Sequence, residues 1–235
     1  MKPLILGAAL FVSIVSFAQQ TVDVSNSNPN SRIGQNAVYS VAGQPFVNVK
    51  FVKLTEGTPF FRDAFHKAIA IGDNGYEYKD LSLKLDLFDK NILYLENGKE
   101  YLTSTKLKEI DIVDSLGQNY KFVRFEIPSK TGKTATTEWY QWLTTGKASL
   151  YKEYQKKLLE TKPYGSPTTE QKIITRENYL IYFNNTFLEA KKLKDVPSIL
   201  ANKKVELEAF LKDKDDKKAS MDDRFKALVD YYNTL

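Results

Sequence analysis

Leu81, Leu83, Leu85 and Leu87 alternate with Ser82, Lys84 and Asp86. That period of two sets all four leucines on one face of a strand. Asn74-Gly75 and Asn97-Gly98 sit between strand-like runs, and Asn184-Asn185 hinges two more. Asn-Gly corners favour tight hairpins because both central residues accept positive φ. Asp89-Lys90-Asn91 and Leu116-Gly117-Gln118-Asn119 are further turn candidates. The pattern predicts strands near 37–43, 46–53, 64–72, 76–88, 92–97, 100–105, 107–114, 119–127, 137–144, 172–184 and 186–192. Residues 147–160 (KASLYKEYQKKLLE) put Ala148, Tyr151, Tyr154 and Leu158 on a helical stripe, yet Gly146 and Tyr151 also suit a strand. Strand is the preferred reading.

Short strands joined by turns argue for an antiparallel meander, since parallel neighbours need crossover helices. The pattern changes after residue 192. Pro197 suits the first residue of a helix, and Val205, Leu207, Phe210 and Leu211 recur at helical spacing. Ser220-Met221-Asp222-Asp223 reads as a capped helix start, followed by Phe225, Leu228, Val229 and Tyr232 on one face. Two such helices, joined by the charged loop 212–218, cannot bury their stripes on each other alone, so they are expected to pack on the sheet. The predicted fold is mainly β: an antiparallel meander, sandwich or open barrel-like, with two short C-terminal α-helices. A body of 37–192 and a helical appendage of 193–235 then form one domain.

The N-terminal end reads differently. Lys2, the apolar run Leu4 to Phe17 and the small residues of Ser16-Phe17-Ala18 have the form of a secretory signal peptide over 1–18. Residues 19–36 are rich in Ser, Asn and Gln and read as a solvated leader. With no Cys in the chain, disulfides, thiolate catalysis, cysteine zinc sites and the lipoprotein route are closed. The expected location is therefore the periplasm or the extracellular space. A lipid-embedded barrel is not expected, because many strands carry Lys or Asp at both parities and the chain ends in polar helices.

One His in 235 residues leaves little room for imidazole chemistry. His66 lacks an accompanying G-x-S-x-G and reads as a strand residue. Gly132-Lys133-Thr134 resembles the close of a phosphate loop, but Ile127 stands where the first glycine is required. From Asp213, the sixth and twelfth positions of a calcium loop are Lys218 and Arg224, both unsuitable. No metal or cofactor is implied. Acidic residues are plentiful, and no pair stands out for glycoside hydrolysis. Lys147, Lys152, Lys156, Lys157 and Lys162, with Lys191, Lys192 and Lys194 later, read as a solvated lysine-rich edge. The net charge of +5 is modest, and nucleic acid is not an expected partner.

The densest aromatic cluster is Glu138-Trp139-Tyr140-Gln141-Trp142. As a strand it places Tyr140 and Trp142 on one face and Trp139 with Leu143 on the other. One face is expected in the core; the other either packs against neighbouring strands, the plainer reading, or forms a platform for a sugar ring or a partner, which makes Trp139, Tyr140 and Trp142 the candidate ligand-binding residues. The hairpin Asn97-Gly98-Lys99-Glu100-Tyr101 and the ending Glu208-Ala209-Phe210-Leu211-Lys212 through Leu228-Val229-Asp230-Tyr231-Tyr232-Asn233 resemble a family of exported bacterial envelope proteins. That resemblance implies a β-rich body, a helical C-terminus and envelope location; the family brings no established activity and no functional residue. The leading expectation is a soluble, exported, non-catalytic binding protein whose partner is an envelope protein or a glycan. The alternatives are a glycan-binding module using the aromatic platform and a carboxylate-dependent hydrolase.

Overall fold

The computed structural model describes residues 42–45, 53–127, 136–162, 164–165 and 169–235. The expected signal peptide, the 19–36 leader, most of the 37–43 and 46–53 strands, and the Gly132-Lys133-Thr134 loop lie outside these residues. The first strands are β1 (Gly43–Pro45), β2 (Leu54–Glu56), β3 (His66–Gly72), β4 (Glu77–Asp86), β5 (Asn91–Glu96) and β6 (Lys99–Thr103). Next come β7 (Leu107–Val113), β8 (Asn119–Ile127), β9 (Thr136–Thr144), β10 (Ser149–Thr161), β11 (Glu170–Phe183) and β12 (Thr186–Ala190). They form one sheet in the order β1-β6-β5-β4-β3-β7-β8-β9-β10-β11-β12, and β2 joins β11 in parallel. The ambiguous segment 147–160 is strand, within β10. β1 takes Gly43, where the expected 37–43 strand ends, and the two residues before the expected 46–53 strand; β2 is too short to show a period.

The sheet cannot be flat. Only Ser104–Lys106 join β6 to β7, a reach of ~14 Å at most. Four inter-strand steps separate the two in the sheet order, or ~19 Å if flat. Curling of β3–β6 closes the difference. On the other side, Pro59–Phe61 bond to the end of β4: Phe61 N–H donates to Leu85 O at 2.8 Å and Leu87 N–H to Pro59 O at 3.0 Å. Those residues lead from β2, paired to β11, directly into β3. The sheet therefore turns back on itself around a first core of Leu83, Leu85, Ile110, Ile112, Phe122 and Trp139. The alternating leucines supply it from β4: Leu83, Leu85 and Leu87 are buried, and Leu81 packs alongside. A bulge at Asp80, with φ of 55°, keeps that face inward past the register shift opposite Ala68 and Ala70.

The helices are α1 (Val196–Ile199), α2 (Lys204–Asp213) and α3 (Met221–Thr234). They build a second core on β9–β12, with Leu150 and Ile181 from the sheet against Val196, Leu200, Leu207 and Phe225. The start of α3 is as the pattern predicts: Ser220 Oγ accepts from Asp223 N–H at 3.1 Å, and Phe225, Leu228, Val229 and Tyr232 are all buried. The preceding helix differs. Leu200, buried with non-helical φ and ψ, breaks it into the single turn α1 and α2 with a 3-10 turn between. Burying Leu200 against the sheet outweighs continuity. Val205, expected on the apolar stripe, consequently faces solvent at 76% exposure.

Candidate binding groove

The β11–β12 hairpin turns at Asn184 and Asn185, both at positive φ, the two-residue geometry that matches strand twist. Tyr182 Oη–H donates to Asn185 Oδ1 at 2.9 Å and pins the corner. One face of this hairpin carries Phe183, Thr186 and Leu188. Opposite, Leu193, Val196 and Leu200 anchor the α1 segment in the second core, which leaves Ile199, Ala201 and Asn202 along its outer margin. Between the two lies an open groove of 790 Å³, with the buried Tyr232 at its base and Lys147 also in its lining. Tyr232 stands edge-on to Phe183, ring centroids 5.7 Å apart, and its hydroxyl lies 3.2 Å from the Asn202 amide. Among the described residues the lining is mainly apolar, with the Asn184 and Asn202 amides and the Thr186 hydroxyl, and Lys147 is its one charged residue.

The base of the groove is held by clamps on α3. Lys152, the fourth residue of β10 and 5% exposed, donates to Glu177 at 2.9 Å and to Asp222 at 2.9 Å. Tyr179 Oη–H donates to the same Asp222 at 2.5 Å. Burial opposes the Lys152 charge, but the Asp222 and Glu177 carboxylates outweigh it and hold its pKa above the ordinary value. Burial first, and then Asp222, pushes the Tyr179 hydroxyl far up. Tyr154 rises to about 12, mainly by burial. At the other end of α3, Asn233 accepts from Ala148 N–H at 2.8 Å and donates to Ala148 O at 3.0 Å. Asp230 bonds Thr144. Lys152 is thus no part of a solvated lysine edge, which corrects the sequence expectation for that residue.

The three aromatic candidates part company. Trp139 points into the first core at 4% exposure, with its Nε1 buried and lacking a hydrogen-bond partner. Tyr140 is on the opposite face yet only 3% exposed, stacked on Phe125 at 4.4 Å. Trp142 is half-buried beneath the Lys121 ammonium, 4.8 Å from the ring. Phe125 also stacks on Phe187 at 4.7 Å, although four strand steps separate β8 from β12; coiling of the sheet folds these rings together. They pack on one another and do not present a flat platform formed by all three candidates.

Chemical groups elsewhere are tied into the frame. Glu138 and Glu153 lie on neighbouring strands, and burial, with the Glu138 carboxylate nearby, holds the Glu153 pKa above its ordinary value. Glu153 accepts from Asn178 at 2.8 Å and Gln155 at 2.9 Å, while Glu138 pairs with Lys90. Asp215 is bidentate to Arg224 at 2.8 and 2.7 Å. No group of three His, Cys, Asp or Glu among the described residues is placed to hold a metal ion. His66 opens β3 with its Nε2 buried and lacking a hydrogen-bond partner. No helix among the described residues is long and apolar enough to cross a membrane.

No family model, curated protein or solved structure matches the chain.

Proposed function

We propose that this chain is an exported, non-catalytic envelope protein that binds a macromolecular partner in the groove between the β11–β12 hairpin and the α1 segment. The observation carrying this reading is the groove itself: an open 790 Å³ channel with an exposed Leu188 on one wall and Ile199 on the other, on a base fixed by buried hydrogen bonds. Apolar walls with a few convergent polar groups are the usual make-up of a ligand site. Export rests on the form of residues 1–18 and on the envelope-family resemblance. The titratable groups with the largest pKa shifts, Tyr179, Tyr140 and Tyr154, are neutral hydroxyls fixed in the sheet, which favours a structural role for them over acid–base work.

Leu188→Arg tests the reading. Leu188 lies 37% exposed on an edge strand, so the variant should retain its circular dichroism and Tm. Peptidoglycan fragments, envelope polysaccharides and extended peptides would be titrated against both proteins. Binding to the native chain that Leu188→Arg weakens at least about tenfold supports the groove. Equal binding by the variant, or turnover of glycoside, ester or peptide substrates by the native chain, would overturn the reading.

A further inference from the structure

We infer, resting on that reading of the groove, that its occupant is an acidic polypeptide segment in extended conformation. The first ground is charge. Lys147 lines the groove and no carboxylate lies within ion-pair distance of it among the described residues. The two wall segments are bracketed by more cations: Lys191, Lys192 and Lys194 follow directly on β12, and Lys203 and Lys204 follow Asn202. Lys203 and Lys204 are balanced by Glu206 and Glu208 at 3.3 and 3.7 Å. Lys147, Lys191, Lys192 and Lys194 are all exposed and form no ion pair with a carboxylate among the described residues. Of the acids near these lysines, Asp195 is engaged as acceptor from Lys192 N–H at 2.8 Å, and Glu189 stands on β12 itself. Cations left unbalanced around an apolar channel favour a ligand that carries negative charge beside apolar groups.

The second ground is the wall chemistry, which separates polypeptide from other anionic ligands. Sugar rings need an exposed aromatic face, whereas Tyr232 is 3% exposed and Phe183, the other ring in the lining, is partly buried and edge-on to it, beside the aliphatic Leu188 and Ile199. An acyl chain would strip water from Asn184, Thr186 and Asn202 with no polar group to offer in return. A peptide meets both needs, because its amides pair with those side chains while alternate residues point to the apolar walls. The third ground is the edge. β12 ends the sheet order among the described residues. In a two-residue hairpin the Phe183–Thr186 pair is hydrogen-bonded and the next pair, Tyr182–Phe187, is not. The backbone N–H and C=O of Phe187 therefore turn away from β11, towards the position of an added strand.

The test uses the chain lacking only residues 1–18 and three fluorescein-labelled peptides of about eight residues, alternating leucine with aspartate, with serine or with lysine. Fluorescence anisotropy should rank them aspartate, serine, lysine, with at least about a tenfold gap between first and last. The aspartate peptide should weaken several-fold as salt rises from about 50 to about 500 mM. Lys147→Glu, an exposed turn substitution, should cost that peptide at least about fivefold in affinity, and Lys147→Arg should restore it. Equal affinity for all three peptides, or indifference to Lys147→Glu, would overturn the acidic assignment and leave the groove reading standing. No binding of any peptide, with polysaccharide bound and displaced by Leu188→Arg, would overturn the polypeptide assignment alone. Binding of the peptides unaffected by Leu188→Arg would remove the groove reading as well.

Discussion

Truncating Asp222 should destabilise the fold more than removing the Lys152 charge, although Lys152 forms both ion pairs and Asp222 only one. The reason is where each group is left. Asp222→Ala strands an ammonium on a residue 5% exposed, leaves it Glu177 alone, and deprives Tyr179 Oη–H of its acceptor. An uncompensated buried charge costs about 3–5 kcal/mol; with Glu177 still in place, about 2–3 kcal/mol is expected, the stranded hydroxyl included. Lys152→Met keeps the aliphatic stem and leaves two carboxylates whose side chains are 32% and 47% exposed. Water can reach both, so about 1 kcal/mol is expected. Urea unfolding at neutral pH, read from midpoint and slope, measures the two values. A Lys152→Met cost equal to or above that of Asp222→Ala would refute the reasoning. Alkaline pH adds a check. The folded Lys152 pKa lies above 10.5, so its contribution is complete below about that pH and fades as pH climbs through the folded value. Tyr179, raised from 10.0, fades in the same direction, so Lys152→Met should flatten the alkaline loss only in part.

Glu153→Gln should stabilise the protein at pH 7 by about 1 kcal/mol. The native Glu153 pKa is raised above 4.5, so the stability of the native chain falls as pH rises from there through the folded value. The variant lacks that loss, and its advantage in urea unfolding should grow across that window; Asp111, also raised by burial, gives both proteins a residual slope. Phe225→Ala empties a fully buried site against Tyr179, whose ring lies 3.9 Å away. A cost of about 3–5 kcal/mol is expected, with a single thermal transition seen in both proteins if body and helices fold together. Two separate transitions would show that the helical segment folds apart from the sheet.

Much of the fold was legible because its cause is local. The leucines of β4 alternate, the Asn-Gly and Asn-Asn corners dictate their own turns, and the Ser220 cap announces α3. Where long-range packing decides, the pattern was silent or misleading. Leu200 breaks its helix because a buried leucine at the sheet face is worth more than another helical turn, and no neighbour in the sequence announces that. Lys152 looked like one lysine among several. Its parity was the available clue, since it shares a face of β10 with Leu150 and Tyr154, but the compensating carboxylates come from β11 and α3. The aromatic cluster shows the same division. Period two correctly separated Trp139 from Tyr140 and Trp142, yet the cover over Tyr140 comes from Phe125 on β8. The groove was the least legible feature, because its two walls come from segments on opposite sides of Leu193 and its base from the end of the chain.

The clamps and the groove belong to one design. A shallow groove gains little area from its ligand, so its affinity depends on how little must be ordered when the ligand arrives. Tyr232 forms the base, and α3 is held on both sides of it: Asp222 by Lys152 and Tyr179 at the start, and Asp230 and Asn233 by Thr144 and Ala148 near the end. The close fit at the second point is visible at Gly146, where a Cβ would lie 2.5 Å from the Asn233 side chain. A helix fastened at two points to one sheet fixes the angle between the hairpin and the α1 segment in advance. A buried ammonium would be a poor choice if stability alone were at stake, since an apolar residue of similar volume does as well or better. Lys152 instead donates to two carboxylates from different elements and specifies one seating of α3, which an apolar contact would leave free to slide. On the proposed reading of the groove, the chemistry of β10 would bear on ligand binding without touching the ligand, by holding α3 and with it the Tyr232 base in one seating.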